Sequence, residues 1–444
     1  MNSSKSILYS LLALALVRGL IYAAVVPPWQ APDESAQFER ARAALSAADW
    51  NSNSQNEPGW YDELSQSLFT FRYWDFIDAP RPAYAPDSLG RYIALYHEIY
   101  GGLYGSRPAY AVTALPLFLA PEQDIILQLY LVRLNTVLMN VAVIFLAYLI
   151  VQTIFPSDTF LVLGVPLIVL FNPQHTHMLS TVNNGNLAEL LTTAALYLMV
   201  TGVMQGFSVL KVLAVLGFSL AAMWTKATTY FLPLAIGSIG LFYLWTYRRQ
   251  WRWLLPGGAI LAGLTYYFAP QRLKLLLTSI GSLGRSGSFF YLDPLVPVDL
   301  FRSFWAYPGW FILQLHPFWY QVLFVSCLLA LVGLLGLLIT KWRLCYTQQR
   351  QPQVRALLVL AVAATTSIVI LLAWNAATQS IVYRQGRSIY PVIVPISLFL
   401  MLGWRQFIPA GWHKFSLLGL TAGLSLFDSL VLFNYIIPLF YSKY

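Results

Sequence analysis

Cysteine and charge are both scarce in this chain of 444 residues. The two cysteines, Cys327 in an apolar run and Cys345 in a basic stretch, provide neither a disulfide framework nor a metal-ligand spacing. Only 10% of residues are charged while 58% are hydrophobic, a balance that excludes an ordinary water-soluble globule. No internal repeat and no separate soluble domain can be found, which argues against a transporter assembled from inverted halves. A clean cleavage context is missing as well. The opening KSILYSLLALALVRGLIYAAVV has a basic flank like a signal peptide, but Arg18 interrupts it and its small residues run into prolines, so an uncleaved first span is expected.

What the chain does have is apolar runs long enough to cross a bilayer, each needing roughly 20 residues. They predict an all-α, polytopic transmembrane bundle of about eleven spans forming one integral membrane domain over 1–444. The runs lie near 7–26, 124–152, 159–172, 186–204, 209–224, 230–247, 253–269, 320–340, 356–374, 389–404 and 415–437. The third and fifth are short, which leaves a re-entrant or tilted reading open for each. With the N-terminus cytoplasmic, the loops on that side collect Lys5, Lys211, Arg248, Arg249, Arg252, Lys341, Arg343, Arg350, Arg355, Arg405 and Lys414 against one acid, Asp158. This is the positive-inside pattern, and it puts the C-terminus on the extracytoplasmic face. Membrane lipids are expected partners and nucleic acid is not.

The opposite face then carries the long loop 27–123, a second large loop 270–319, and shorter ones at 173–185 and 375–388. The first is rich in aromatics such as Trp29, Trp50, Trp60, Trp74 and Tyr84, residues that favour the headgroup layer. Within 34–48, Phe38, Ala41, Leu45 and Ala48 share one helical face, which predicts an amphipathic helix lying on the membrane surface. A second such helix is expected after Pro86 and Asp87, through SLGRYIALYHEIYGGLYG.

That first loop opens with PPWQAPDESAQFERARA, which sets Asp33 beside Glu34. Asp33 follows Pro32 and precedes a helical stretch, so a helix N-cap accounts for it locally. The same position suits a carboxylate that takes a proton from a bound hydroxyl, since for a general base geometry comes before pKa.

The order of motifs resembles one family. A hydrophobic span followed by PPWQAPDESAQFERA, then TVNNGNLAELL at 181–191, FRSFWAYPGW at 301–310 and YRQGRSIYPVIVPISLFL at 383–400, is similar to the C-type superfamily of polytopic glycosyltransferases. The likeness is strongest to a bacterial branch of unassigned function and extends over nearly the whole chain. The resemblance implies transfer of a sugar from a polyprenyl-phosphate carrier to a hydroxyl of a cell-envelope glycan, lipid or protein, at the outer face of the bacterial inner membrane. It implies Asp33 as general base and Glu34 as the partner that orients the acceptor or a divalent metal. It also brings Gln37, Asn183 and Asn184 forward as substrate contacts. This chain has Gln37 where the family usually has a His, and Gly185 where it often has an Asp. A carboxylate and an imidazole that could serve as metal ligands are thus missing, which leaves the use of a divalent metal open.

A phosphate-linked donor needs cations near the membrane surface, and the planar fork of arginine suits that work. Arg384 and Arg387 lie in YRQGRSIYP on the non-cytoplasmic side, where snorkelling to headgroups is the plain alternative. Lys226 in WTKATTY is a third candidate at the same depth. Arg285 and Arg302, in the second large loop, are candidate contacts to donor or acceptor, although solvated charges explain them equally well. Arg18, Arg133, Glu189 and Asp428 fall inside spans, where each needs a partner or a wet cavity. His175 and His177 form an H-x-H with no acid or cysteine nearby in sequence, which favours ordinary hydrogen bonding over zinc. Two alternatives remain open on these residues: a non-enzymatic transporter or flippase for a lipid-linked sugar, which has no need of Asp33, and a catalytically silent relative.

Overall fold

The computed structural model describes residues 2–45, 58–77, 82–93, 107–119, 124–246, scattered positions between 256 and 273, 293–341, 351–378 and 384–442. Among the described residues the regular elements are all helical. In chain order they are α1 (Asn2–Val25), α2 (Glu34–Leu45), α3 (Pro58–Thr70), α4 (Ala85–Ile93), α5 (Arg107–Thr113), α6 (Ile125–Ile154), α7 (Thr159–Leu170), α8 (Pro173–Leu179), α9 (Asn184–Gln205), α10 (Val209–Thr225) and α11 (Leu232–Thr246). They continue with α12 (Leu295–Trp305), α13 (Pro317–Lys341), α14 (Gln351–Thr378), a 3₁₀ segment (Gly386–Val392), α15 (Ile393–Trp404) and α16 (His413–Val431), which runs on through a π-helical turn (Leu432–Ile436).

Seven of the described helices are long and apolar enough to cross a membrane, or eight if α7 and α8 are taken as one broken span bent by 62°. Helices α10 and α11 are apolar but shorter. The expected span at 253–269 lies largely outside the described residues. The starts of several helices are written locally. Asp158, Asn172, Asn183 and Ser208 each accept a hydrogen bond from an amide in the first turn of α7, α8, α9 and α10, satisfying donors that the helix itself leaves open. Gly206 ends α9 with φ +97°, a conformation available to glycine without strain.

The two ends of the bundle differ. At one, Arg405 pairs with Asp158 at 2.7 Å and Gln353 donates to the Ile154 carbonyl at 2.9 Å, joining the ends of α15 and α6 to the starts of α7 and α14. The end of α1, the beginnings of α6 and α9 and the end of α10 meet at the other, and the first loop folds onto them. Within the bundle, Arg18 pairs with Asp428, which also accepts from the Tyr22 hydroxyl at 2.6 Å. Arg18 donates to the Leu170 carbonyl as well, a group left open where α7 breaks. An apolar core of residues such as Val143, Ile150, Val165, Leu196, Val359 and Leu398 surrounds these groups.

The first loop is more deeply packed than an interfacial helix requires. Helix α2 begins where expected, but Glu34, Gln37 and Glu39 are buried along with Phe38 and Ala41, so its polar residues face protein. The aromatics Trp29, Phe38, Tyr73, Trp74, Tyr92 and Tyr110 join Leu64, Leu68 and Leu129 in a second core that seats the loop on the start of α6. This is the reason the amphipathic reading of 34–48 does not describe α2: on what was to be the wet face Glu39 accepts from the Tyr92 hydroxyl of α4 and Arg42 donates to Gln128 of α6, while 46–48 lie outside the described residues. In place of a helix starting after Asp87, α4 covers Ala85–Ile93 and takes in Pro86 and Asp87, and the remainder of that stretch lies outside the described residues.

Candidate functional site

Asp33 and Arg387, 354 residues apart in the chain, meet with Nη2 donating to Oδ2 at 2.7 Å. Their side chains keep 16% and 11% exposure, so the pair sits at a mouth and remains reachable. Asp33 has φ +65°, in the left-handed region that is costly for a non-glycine residue, and Trp29 in the same turn has φ +70°. A capping residue takes extended backbone, so the conformation of Asp33 is not that of a simple N-cap. Such backbone outliers persist where the surroundings overdetermine them, commonly at functional sites.

The surroundings here are the Glu34 junction. Glu34 is fully buried and receives Arg133 in a two-pronged pair, Nε at 2.8 Å and Nη2 at 2.6 Å. The amides of Val182 and Trp29 donate to the same carboxylate at 3.0 and 3.1 Å. Arg133 spends its remaining donors on the carbonyls of Ala23, Val26 and Pro27. One buried pair thus ties the end of α1, the start of α2, α6 and the turn before α9 into a single piece. A carboxylate with four protein donors is a fastener, and the expected role of Glu34 in orienting an acceptor or a metal would have to compete with them.

Arg387 rides on a separate platform. Its Nε donates to Gln385 Oε1 at 2.5 Å and its Nη1 to the Pro32 carbonyl at 3.4 Å. The preceding Gly386 lies against α12: its amide donates to Ser303 Oγ at 2.7 Å, and a Cβ added there would stand 2.2 Å from the Phe304 nitrogen. Only glycine allows that approach of two backbones. The Phe304 carbonyl in turn accepts from Asn172 Nδ2 and from the Tyr390 hydroxyl, both at 3.0 Å.

Lys226, the residue closing α10, donates to Asn183 Oδ1 at 3.1 Å, the same oxygen that caps α9. Its ammonium occupies the space beside Gly185, 2.8 Å from where a Cβ would be, so the glycine makes room for the lysine. Burial first, and then the Arg387 guanidinium, draw Lys226 down from its ordinary value to about 7, with Asp33 and Glu189 opposing. Gln37 accepts from the Tyr110 hydroxyl at 2.7 Å and from the Asn184 amide at 3.3 Å, while Asn184 Nδ2 reaches the Thr225 carbonyl at 3.3 Å. Asp33, Arg387, Lys226, Gln37, Asn183 and Asn184 are therefore one neighbourhood. Immediately beside it a groove is lined by Ala227, Phe231, Ile370, Leu371 and Trp374, with Thr228, Ser367 and Ser388 as its polar members.

Other candidates go elsewhere. Arg384 pairs with Asp293 at 2.6 Å, three residues from Arg387 but turned to the segment that precedes α12. The Leu295 amide and Arg384 hold the Asp293 carboxyl below its usual range. Arg302, on the last turn of α12, donates to Gln314 at 3.3 Å and lies over the Tyr320 ring at 5.5 Å. Arg285 lies outside the described residues. Glu189 finds its partner in His175, at 2.6 Å. His177 is fully buried on α8, and both its ring nitrogens lack a hydrogen-bond partner among the described residues. No group of three or more His, Cys, Asp or Glu residues gathers to hold a metal among the described residues, so the histidine pair and the acids of the first loop do not combine into a cation site.

Sequence reasoning missed two contributors. Arg133 was visible only as an arginine in an apolar span, a position that demands a buried partner without naming it. Tyr110 carried no signal, because nothing local distinguishes a tyrosine that will meet Gln37 from one that faces lipid. Comparison with known proteins adds no assignment: no family model matches the chain, and no curated protein or solved structure matches it.

Proposed function

We propose that this protein is a membrane glycosyltransferase that moves a sugar from a polyprenyl-phosphate carrier to an acceptor hydroxyl. The observation that carries the proposal is the meeting of Asp33 with Arg387 beside Lys226, next to an apolar groove that the following residues Ala227 and Ser388 help to line. A carboxylate, two cations and a greasy slot are the parts that a lipid-phosphate sugar requires. In this reading the phosphate lies against Arg387 and Lys226, and the prenyl chain runs out past the neighbouring apolar side chains of Phe231, Leu371 and Trp374. Asp33 takes the proton of the acceptor hydroxyl as that oxygen bonds to the sugar's anomeric carbon. The bond from that carbon to the phosphate oxygen breaks, and its electron pair stays on the phosphate, where the two cations stabilise the added charge. The proton leaves Asp33 to water after the product departs.

The proposal places the site on the extracytoplasmic face of a bacterial inner membrane, in a chain of about eleven spans with a cytoplasmic N-terminus. The acceptor is a glycan, lipid or protein of the cell envelope. Reporter fusions after Arg252 and Arg350 are expected to read cytoplasmic, and fusions at Asn56 and Ser286 to read outside. An outside signal at Arg252 would overturn the orientation. The activity is tested by incubating the purified protein with radiolabelled polyprenyl-phosphate sugars and cell-envelope acceptors. Labelled product that depends on Asp33 is expected, and the absence of product across a panel of sugars and acceptors would remove the enzymatic reading. Transport of the intact lipid-linked sugar with no covalent product would establish the flippase in its place.

A further inference from the structure

We propose that Asp33 and Arg387 form an exchangeable pair, in which the donor's phosphate takes over the Arg387 guanidinium and thereby frees the Asp33 carboxylate to act as base. The inference rests on the transferase reading and names how that site is switched on.

Three observations lead to it. First, the pair as it stands is silent. The Asp33 Oδ2 that would take the acceptor's proton is instead held by the Arg387 guanidinium in a charge-assisted hydrogen bond at 2.7 Å. Second, the pair is accessible where its neighbour is not. The Glu34 and Arg133 side chains are both 0% exposed, whereas Asp33 and Arg387 retain 16% and 11%. An anion arriving at the mouth can reach Arg387 and cannot reach Arg133. Third, Arg387 has supports that do not involve Asp33: Gln385 Oε1, the Pro32 carbonyl and the glycine-dependent seat of the 3₁₀ segment on α12. The guanidinium therefore keeps its place when its carboxylate partner is exchanged for another.

Phosphate is suited to the exchange. Two non-bridging oxygens match the planar fork of an arginine, and Lys226 adds a second cation that the carboxylate of Asp33 already attracts. Asp33, released from Arg387, remains on the rigid turn that the Glu34 junction fixes, so it moves as a side chain and not as a loop. No bond is made or broken in the exchange. Its consequence is an order of events: the donor binds first, and the acceptor hydroxyl meets a competent base only when a phosphate is seated.

The test is a double-mutant cycle of binding, with full-length protein and farnesyl phosphate as the probe. The parent, Asp33→Asn, Arg387→Ala and the doubly substituted protein are titrated after thermal unfolding shows them folded, with Arg387→Gln replacing the alanine variant if that one misfolds. Because Asp33 competes with the phosphate for Arg387, Asp33→Asn is expected to tighten binding roughly tenfold, the size of one charge-assisted hydrogen bond. In the Arg387→Ala background the same substitution is expected to change binding by less than about twofold, since the contested cation is gone. Equal tightening in both backgrounds would reveal a general field effect and sink the exchange, as would unchanged or weaker binding by Asp33→Asn alone. In either of those cases weaker binding by Arg387→Ala still leaves the donor-phosphate reading standing. Parental affinity in Arg387→Ala is the separate result that overturns that reading itself, and the exchange with it.

Discussion

Two acids adjacent in the chain end in opposite surroundings. Glu34 is sealed against Arg133 in the junction of α1, α2 and α6, while Asp33, one residue earlier, reaches Arg387 at a mouth beside an apolar groove. The junction is saturated with four donors from three segments, Arg133 of α6 and the amides of Trp29 and Val182. By contrast the mouth holds a pair that water and ligands can approach, on a backbone kept in the left-handed region. The difference teaches that an ion pair's use depends on what else could bind its members: sealed pairs fasten helices, and accessible pairs are available for exchange. Arg18 and Asp428 belong with the fasteners, since they hold α1 to α16 and satisfy the carbonyl released where α7 breaks.

The largest effect that separates the two acids is expected on activity. Asp33→Asn keeps the size and hydrogen-bonding reach of the side chain but cannot accept a proton at neutral pH. Sugar transfer should fall on the order of a hundredfold to ten-thousandfold with unchanged expression and unfolding temperature. Transfer within about threefold of the parent, far below that range, would reduce Asp33 to a structural residue.

Arg133→Met sharpens the other side. Removing the cation leaves Glu34 buried and unpaired, which typically costs about 3–5 kcal/mol. The expected result is protein degraded in the membrane or unfolding at a much lower temperature, whatever the donor. Normal stability would contradict the fastening role.

Lys226 lies between these extremes. With its pKa near 7, it loses its charge as pH rises through that value in the free protein, and the donor's phosphate then loses one of two cations. The KM for donor should rise above about pH 7 in the parent, and Lys226→Gln should give a high KM that no longer depends on pH in that window. A parental pH profile in the glutamine variant would assign the titration to another group.

The smallest effect is expected at the Arg384 and Asp293 pair, which resembles the mouth pair in exposure but stands outside the shared neighbourhood. Asp293→Asn should leave unfolding and donor KM unchanged within error, as for most exposed pairs. A clear rise in donor affinity would mean that Arg384 also binds the phosphate and that the mouth extends to Asp293.

How much of this could be read from the chain alone follows from the range of the forces involved. Apolar runs of bilayer length and the caps Asp158, Asn172, Asn183 and Ser208 are local features, and they fixed the helical class and the starts of α7 to α10. The intramembrane charges also announced a need for partners, because an isolated charge in apolar surroundings is costly. Which partner each one found was decided only when helices distant in the chain packed together: Arg18 chose Asp428, Glu189 chose His175, and the adjacent acids divided between Arg133 and Arg387. The burial of α2 was settled in the same way, since whether its polar face is wet depends on α4 and α6 arriving to meet it. The sequence by itself determined the solvent this chain requires and the helices that meet that requirement. The tertiary structure alone made one carboxylate a fastener and its neighbour a candidate base, because burial and proximity are properties of a packed assembly and not of a residue and its neighbours along the chain.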